Sequence, residues 1–336
     1  MRPPCTQKNV RSTQRTDRQR PARRFGTGGA PGRFGGTTEE VIPFMRSIGF
    51  LGLGVMGYAM TANLIDKSGL KIVGYDPVPE LRERFARRGG IPAADPHALY
   101  GSCDLIMMCL PTYAILQTAV SDILKTAGPG TVLVDLGATS PFIIRDLYRS
   151  ARDRGMHLID APVSGGQAGA ERGALSIMAG GDQDVLDAVL PYLRMIGSSV
   201  TYMGGPGCGS TAKLANNMIS GVTLAAIGEA FALAKKAGLD PRTLYEAIRG
   251  GFAQSTALDM RAERILNHDF LPASGRAAIQ LKDANGALEL AERLGVQLPL
   301  TRVMADNLNW LADQGLADED HSAMVRYYEA RMGVTL

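Results

Sequence analysis

The feature that most constrains the fold is a glycine-rich turn close to residue 50. Gly52, Gly54 and Gly57 follow the apolar run 47–51 in GxGxxG spacing and open a segment with helical spacing. Between a strand and a helix, the first glycine allows a tight turn and the second lets a pyrophosphate approach the backbone. The third lets the helix pack closely on the sheet. The pattern predicts a phosphate loop for a dinucleotide cofactor, formed by Gly52, Leu53, Gly54, Val55, Met56 and Gly57.

A carboxylate after the second apolar run bears on which dinucleotide binds. Asp76 follows the run 71–75, at about the 20-residue spacing expected of an acid that binds a ribose 2′-hydroxyl. A carboxylate at this position repels a 2′-phosphate, so the sequence favours NAD as the cofactor. The nearby Arg82 and Arg84 leave NADP open as an alternative.

Apolar runs alternate with segments of helical spacing from Arg46 onward. This alternation predicts βαβ units and hence an α/β Rossmann domain with a doubly wound parallel sheet. The predicted strands are 47–51, 71–75, 104–110, 131–136 and 156–159, with two more at 175–179 and 199–203.

The pattern changes after Gly209, because every later segment has helical spacing. We predict a Rossmann domain over 46–208 and an all-α C-terminal domain over 209–331. The long interdomain helix 209–237 joins the two. The later predicted helices are 241–249, 254–266, 276–294, 299–313 and 319–331.

Residues 1–44 form a basic tail with almost no apolar periodicity, and we expect them to be disordered. A transit peptide, a basic interaction arm and a mis-assigned start are the three explanations. We favour a start at Met45, because the chain runs from there straight into the first predicted strand. The tail holds nine basic and three acidic residues, which leaves residues 45–336 with a net charge of −3. That charge does not indicate nucleic-acid binding by the body of the chain.

Several other classes of protein do not fit the sequence. It has no run of about 18 apolar residues and no apolar signal-peptide region, so we expect a cytoplasmic protein without a membrane partner. The cysteines form no CxxC pair and the four histidines are scattered, so we expect neither disulfides nor a metal site.

Two further segments carry groups suited to binding and proton transfer. In 160–166, Ser164 offers a hydroxyl, and Gly165 and Gly166 offer open backbone N–H groups that can hold a carboxylate. By spacing alone, an ordinary turn is the better explanation of that segment. Lys213 and Asn217 share one face of the long predicted helix. A partly desolvated lysine exchanges protons near neutral pH, although a solvated lysine at a helix start remains the alternative.

Taken in order, these segments resemble the β-hydroxyacid dehydrogenases, the family of 3-hydroxyisobutyrate dehydrogenase and 2-hydroxy-3-oxopropionate reductase. The resemblance spans roughly residues 46–310. The segments that carry it are GLGVMGYAMTANL at 52–64, CLP at 109–111, DAPVSGG at 160–166, GALSIMAGG at 173–181, GGPGCGSTAKLANNM at 204–218, LKD at 281–283 and LPL at 298–300.

The resemblance implies hydride transfer between NAD(P) and a small anionic 3-hydroxy carboxylate or the matching semialdehyde. It implies Lys213 as general acid/base, Asn217 as a residue that orients the substrate, and Ser164, Gly165 and Gly166 as the carboxylate-binding loop. It also implies a homodimer or homotetramer. The further implied cofactor contacts are Leu110, Pro111, Ala138 and Lys282.

The sequence departs from the family in two places. Gly137 and Ala138 stand where the family usually has a Ser-Thr pair, which makes Thr139 a candidate replacement. The aromatic residue that often precedes LKD is missing from 271–276, where Arg276 is a candidate anion contact. The substrate within the family is therefore left open.

Two rival functions remain. An imine-reductase-like enzyme is disfavoured by Lys213, which imine reductases usually replace. A non-catalytic NAD(P)-binding protein is disfavoured because Lys213, Asn217 and Lys282 are all retained.

Overall fold

A computed structural model describes residues 45–336, so the expectations about residues 1–44 lie outside the described part of the chain. The strands are β1 Ser47–Leu51, β2 Lys71–Tyr75, β3 Ile91–Pro92, β4 Leu105–Met108, β5 Val132–Asp135, β6 His157–Asp160, β7 Val163–Ser164, β8 Leu175–Gly180 and β9 Gly197–Gly204. The helices of the first half are α1 Val55–Ser68, α2 Pro79–Arg87, α3 Pro96–Tyr100, α4 Tyr113–Thr126, α5 Pro141–Arg152, α6 Gly166–Glu171 and α7 Gln183–Ile196. Those of the second half are α8 Cys208–Lys236, α9 Pro241–Ile248, α10 Thr256–Leu266, α11 Ala277–Arg293, α12 Pro299–Asp313 and α13 Val325–Met332, with a 3₁₀ turn at His321–Met324.

The strands form one sheet in which β3, β2, β1, β4, β5 and β6 lie side by side and run parallel. This is the strand order of dinucleotide-binding sheets, with the topological switch point between β1 and β4. Ligands of such sheets bind beyond the carboxyl ends of the strands at that point. The predicted Rossmann domain is confirmed, and its topology places the expected cofactor site next to the glycine-rich turn.

The far edge of the sheet differs from the predicted parallel arrangement. Strand β8 runs antiparallel to β6 and β7 and parallel to β9. The sequence did not indicate β3 or β7, because each has only two residues and so shows no alternation. β7 matters for function, since it begins the segment in which Ser164 and the two glycines lie.

Helices cover both faces of the sheet. Within β4, Leu105 and Met107 belong to one apolar cluster, and Ile106 and Met108 belong to a second cluster on the opposite face. Alternate residues of a strand point to opposite faces, so a strand that is apolar throughout must be buried on both sides. The short apolar runs of the sequence are therefore core strands.

The second half of the described chain is helical, as predicted, and is organised around α8. This helix packs against β8 and β9 and against α9, α10, α11, α12 and α13. Within residues 45–336, α8 is the one helix long and apolar enough to cross a membrane by length and composition alone. Long core helices share that property, and α8 contacts both the sheet and the helical domain.

Contacts at two separate points join α11 to the Rossmann domain. The Lys282 ammonium donates to the Ala138 carbonyl at 3.1 Å. Near the other end of the helix, the Arg293 guanidinium lies 4.2 Å from the centroid of the Phe142 ring, in a cation–π contact. These contacts place the start of α11 beside the carboxyl ends of the strands.

Candidate active site

The glycine-rich turn has the shape that a phosphate needs. Gly52 has a φ of +87°, and a Cβ on it would lie 2.3 Å from the Cys109 carbonyl oxygen. A Cβ on Gly57 would lie 1.8 Å from the Gly52 oxygen, so α1 can approach the turn only with glycine at this position. At Gly54, by contrast, a Cβ would meet no atom within 4 Å. That open space is where an anion can reach the first N–H groups of α1, which have no side-chain cap.

The Asp76 carboxylate closes the turn from the end of β2. It is buried, and its two oxygens accept the backbone N–H groups of Leu53 at 2.9 Å and Val78 at 3.0 Å. These bonds fix the carboxylate at the mouth of the turn with lone pairs to spare for a ribose hydroxyl. Arg82 donates to the Asp76 backbone carbonyl and Arg84 lies over the Tyr58 ring, so both guanidinium groups already have contacts.

A cavity of about 910 Å³ lies over the turn at the switch point of the sheet. Its size suits a ligand as large as a dinucleotide, and most of its lining is apolar. The predicted cofactor residues that line it are Gly52, Gly54, Val55, Met56, Gly57, Asp76, Leu110 and Pro111. The Leu53 side chain is instead fully buried in the core, and only its N–H faces Asp76. Ala138 and Lys282 lie outside this lining and contact each other.

The start of α8 is held by a buried carboxylate at the end of β6. Asp160 accepts the Gly207 N–H at 3.0 Å through one oxygen and the Ser210 N–H at 2.7 Å through the other. The carboxylate thus caps the helix N-terminus, where such a charge is favourable. It also fixes the helix, and with it Lys213 one turn further on, relative to the segment that begins at Ala161.

Lys213 is a half-buried amine at the junction of the two domains. Burial lowers its pKa from the ordinary lysine value, and the positive charge of Lys282 lowers it further, while the Asp283 carboxylate acts in the opposite sense. An amine with a lowered pKa loses its proton more readily, so it can accept a proton as well as return one.

Asn217 lies one turn after Lys213 on α8 and is held at both ends of its amide. Its nitrogen donates to Asp283 at 2.6 Å, and its oxygen accepts from Asn216 at 3.0 Å. One amide hydrogen stays free, since the nitrogen carries two. The structure therefore brings Lys282 of α11 close to Lys213 and Asn217, the two residues that the sequence placed on one face of α8.

Asp283 is a site residue to which the sequence analysis gave no role, because Lys282-Asp283 is typical of a surface pair. It is 4% exposed, and one of its oxygens lies 3.3 Å from the Lys282 nitrogen. A signal did exist in the sequence. Asp283 lies four residues before Ala287 and next to Ala284, so helical spacing places this carboxylate on the alanine-rich face of α11.

Tyr113 is a second residue that sequence reasoning missed. Its ring lies 5.1 Å from the Lys282 nitrogen, and burial raises the pKa of its hydroxyl to about 12. The phenol therefore stays neutral and supports Lys282 through its ring face.

Thr139, the candidate hydroxyl replacement, is buried, and its hydroxyl donates to Asp135 at 2.6 Å. Asp135 also accepts the Gly137 N–H, and burial raises the pKa of this carboxyl to about 7. Its side chain shapes the turn that presents the Ala138 carbonyl to Lys282.

Ser164, Gly165 and Gly166 lie at the edge of the sheet where β7 passes into α6. Ser164 is half-buried, whereas both glycines are exposed and have positive φ values of 133° and 62°. Residues other than glycine rarely adopt such backbone conformations, so both positions require glycine. Without side chains to cover them, the backbone N–H groups stay accessible. Through Asp160, this segment and the start of α8 share one support.

Two family models together match most of the described chain. Residues 47–204 match the NAD binding domain of 6-phosphogluconate dehydrogenase. Residues 207–328 match the NAD-binding domain of NADP-dependent 3-hydroxyisobutyrate dehydrogenase. The chain is therefore an NAD(P)-dependent oxidoreductase with a Rossmann domain and a helical domain.

Similar proteins show which group of NAD(P)-dependent oxidoreductases the chain belongs to. The chain is 34% identical to 2-hydroxy-3-oxopropionate reductase of Escherichia coli, over 84% of this chain and 97% of that protein. It is 33% identical to 2-(hydroxymethyl)glutarate dehydrogenase of Eubacterium barkeri, over 86% and 97% respectively. The structure of Mycobacterium tuberculosis 3-hydroxyisobutyrate dehydrogenase with L-serine superposes with a TM-score of 0.77 at 33% identity, over 84% and 99%. The chain belongs to the β-hydroxyacid dehydrogenase family.

An imine reductase of Streptomyces aurantiacus shares the fold at 21% identity, with a TM-score of 0.55 over 84% of this chain and 99% of that one. At that identity the likeness concerns the fold alone. The hydroxyacid dehydrogenases are the better guide to this chain's chemistry.

Proposed function

We propose that this protein interconverts a small 3-hydroxy carboxylate and the matching semialdehyde, with NAD preferred over NADP. Lys213 is the general acid/base of the reaction. The observation that carries this assignment is the environment of Lys213: a half-buried amine with a lowered pKa, next to Asn217, Asp283 and Lys282. A lysine that served only to bind an anion would gain nothing from a lowered pKa.

The chain's own residues account for the fit of the cofactor. The uncapped start of α1 and the open space at Gly54 suit the pyrophosphate, and the Asp76 carboxylate suits a ribose diol. Bound nicotinamide accepts the hydride in oxidation and donates it in reduction. The protein holds the substrate and moves the proton.

In the oxidative direction, neutral Lys213 accepts the proton of the substrate hydroxyl as hydride leaves the carbon that bears it. In reduction, the Lys213 ammonium returns a proton to the carbonyl oxygen. Asn217 keeps one amide hydrogen for that oxygen, because Asp283 holds the rest of the amide in place. Positioned groups of this kind contribute roughly 10²–10⁴-fold to the rate.

The substrate carboxylate is expected to bind the exposed N–H groups of Gly165 and Gly166 and the Ser164 hydroxyl. Lys213 and Lys282 add local positive charge at the junction of the domains. A small anionic substrate is therefore attracted despite the net negative charge of residues 45–336.

We also propose a homodimer or homotetramer formed through the helical domain. Ile219, Met260, Leu300 and Val303 are large apolar side chains there that are more than half exposed. Exposed apolar side chains on one domain support a protein interface. Analytical ultracentrifugation tests this, and a monomer at micromolar concentration contradicts it.

Initial rates of NADH formation with a panel of hydroxy acids test the function itself. The panel contains 3-hydroxyisobutyrate, glycerate, threonate and 4-hydroxybutyrate, each with NAD and with NADP. We expect turnover of at least one acid and a higher kcat/KM with NAD. NADH binding without turnover of any acid contradicts the proposed substrate class.

A further inference from the structure

One side chain from the helical domain reaches the cofactor cavity. Of the described residues that line it, Arg276 alone comes from beyond residue 122. It immediately precedes α11 as the N-cap residue of that helix. The cavity is therefore closed on one side by a residue that is far away in sequence from the dinucleotide-binding turn.

The Arg276 guanidinium differs in charge from the other ionisable groups of the lining. Asp76 and Asp122 are the acids among the described lining residues, and Arg276 is the cation. A dinucleotide carries a doubly charged pyrophosphate into this cavity. Without Arg276, only the N–H groups at the start of α1 would face that charge.

The backbone of Arg276 is firmly held, whereas its side chain is available. The backbone of Arg276 forms an antiparallel β-bridge with that of Asp320, and the following Ala277 N–H donates to the Glu319 carbonyl at 2.8 Å. The guanidinium is 57% exposed and pairs with Asp318 at 3.3 Å, and Asp318 is itself 83% exposed. Such a surface pair is weak, so it yields readily to a phosphate.

The same helix already carries one cation to the Rossmann domain. Lys282, six residues after Arg276, donates to the Ala138 carbonyl at 3.1 Å. Because this contact fixes α11 against the nucleotide domain, the Arg276 side chain is held beside the cavity. An arginine fork can then bind two phosphate oxygens at once.

We propose that Arg276 binds the pyrophosphate of the cofactor from the helical domain, opposite the N-terminus of α1. This inference builds on the proposed function but assigns a cofactor role to a residue that the sequence suggested only as a candidate anion contact. The proposed carboxylate-binding segment at Ser164 is not part of the cavity lining. The anion that Arg276 meets in this cavity is therefore the cofactor and not the substrate carboxylate. A pyrophosphate bound in this way links the two domains when the cofactor is present.

The test is direct binding of NADH, followed by fluorescence, to the full-length wild-type protein and to Arg276→Gln. The variant is expected to raise the Kd for NADH roughly 5- to 10-fold, as loss of a charge-assisted hydrogen bond does. The Kd should also depend less on salt concentration, because one ionic contact is gone. Arg276→Lys should lie between the two proteins, since it keeps the charge but loses the fork.

Arg249→Gln is the matched control. Arg249 lies in the same helical domain, is similarly exposed and pairs with Glu246, yet it does not line the cavity. The Kd of this variant for NADH should equal that of the wild type. Competition with NADH by ADP-ribose and by adenosine locates the contact. Arg276→Gln should weaken the binding of ADP-ribose, which carries the pyrophosphate, and leave the binding of adenosine unchanged.

Three results would overturn the proposal. The first is an unchanged Kd for NADH in Arg276→Gln. The second is weaker binding of NADPH with unchanged binding of NADH, which would assign the arginine to a 2′-phosphate. The third is a raised KM for the hydroxy acid with an unchanged Kd for NADH, which would assign it to the substrate. Since binding is measured without turnover, a wrong substrate class leaves this test intact.

Discussion

The amide nitrogen of Asn217 lies 2.6 Å from a carboxylate oxygen of the buried Asp283. This bond joins α8 to α11 at the point where Lys213 and Lys282 also meet. A buried carboxylate beside two cations has an electrostatic effect as well as a structural one. It keeps the pKa of Lys213 from falling as far as burial alone would lower it.

Asp283→Asn should therefore change the pH dependence of the reaction. Asparagine still accepts a hydrogen bond from Asn217, but the negative charge that raises the pKa of Lys213 is lost. Oxidation requires the neutral amine, so its rate rises as pH increases through that pKa. The inflection in kcat/KM for oxidation is expected at lower pH than in the wild type. Asp146→Asn, at an exposed surface carboxylate, should leave the inflection in place; a shift in both variants or in neither contradicts this role of Asp283.

Gly54 and Gly57 form a matched pair for separating cofactor binding from folding. A Cβ at position 57 would lie 1.8 Å from a backbone oxygen, whereas one at position 54 would meet no protein atom within 4 Å. Gly57→Ala should lower the Tm by about 4 °C or more. Gly54→Ala should keep the wild-type Tm and weaken NADH binding, because its methyl group enters the phosphate space. Thermal unfolding and NADH titration of both variants check this, and equal loss of Tm in both contradicts it.

Asp76→Asn should change the choice of cofactor. The amide keeps an acceptor for the Leu53 N–H but no longer repels a 2′-phosphate. The ratio of kcat/KM for NAD to that for NADP is expected to fall roughly 10-fold or more. Asp122→Asn, which removes the other acid of the same cavity, should leave the ratio near the wild-type value. An unchanged ratio in Asp76→Asn would show that another residue sets the preference.

The local parts of this site could be predicted from the sequence. The glycine spacing at 52, 54 and 57 has a steric cause within one turn, and Asp76 follows at a fixed interval in the βαβ unit. The pairing of Lys213 with Asn217 needs only helical geometry. Each of these signals lies within one or two neighbouring elements.

The contacts between distant elements could not be predicted in this way. Asp283 is buried because α8 packs on the face of α11 that carries it. Helical spacing places the carboxylate on that face but does not show which helix packs there. Arg276 reaches the cavity only because Lys282 and Arg293 hold α11 against the Rossmann domain. The bond from the Thr139 hydroxyl to the buried Asp135 likewise depends on the fold of the turn and not on a sequence pattern.

The most direct test of the proposed mechanism is the pH profile of hydroxy-acid oxidation in the wild type and in Lys213→Met. Methionine has a similar length but carries no amine, and NADH binding to the variant provides the control for folding. We expect the wild-type kcat/KM to rise with pH through an inflection below the ordinary lysine pKa of 10.5. In Lys213→Met it should fall by roughly 10²–10⁴-fold and lose that inflection, with the Kd for NADH unchanged. Near-normal turnover in Lys213→Met, with the same pH profile, would contradict the assignment of Lys213 as the general acid/base.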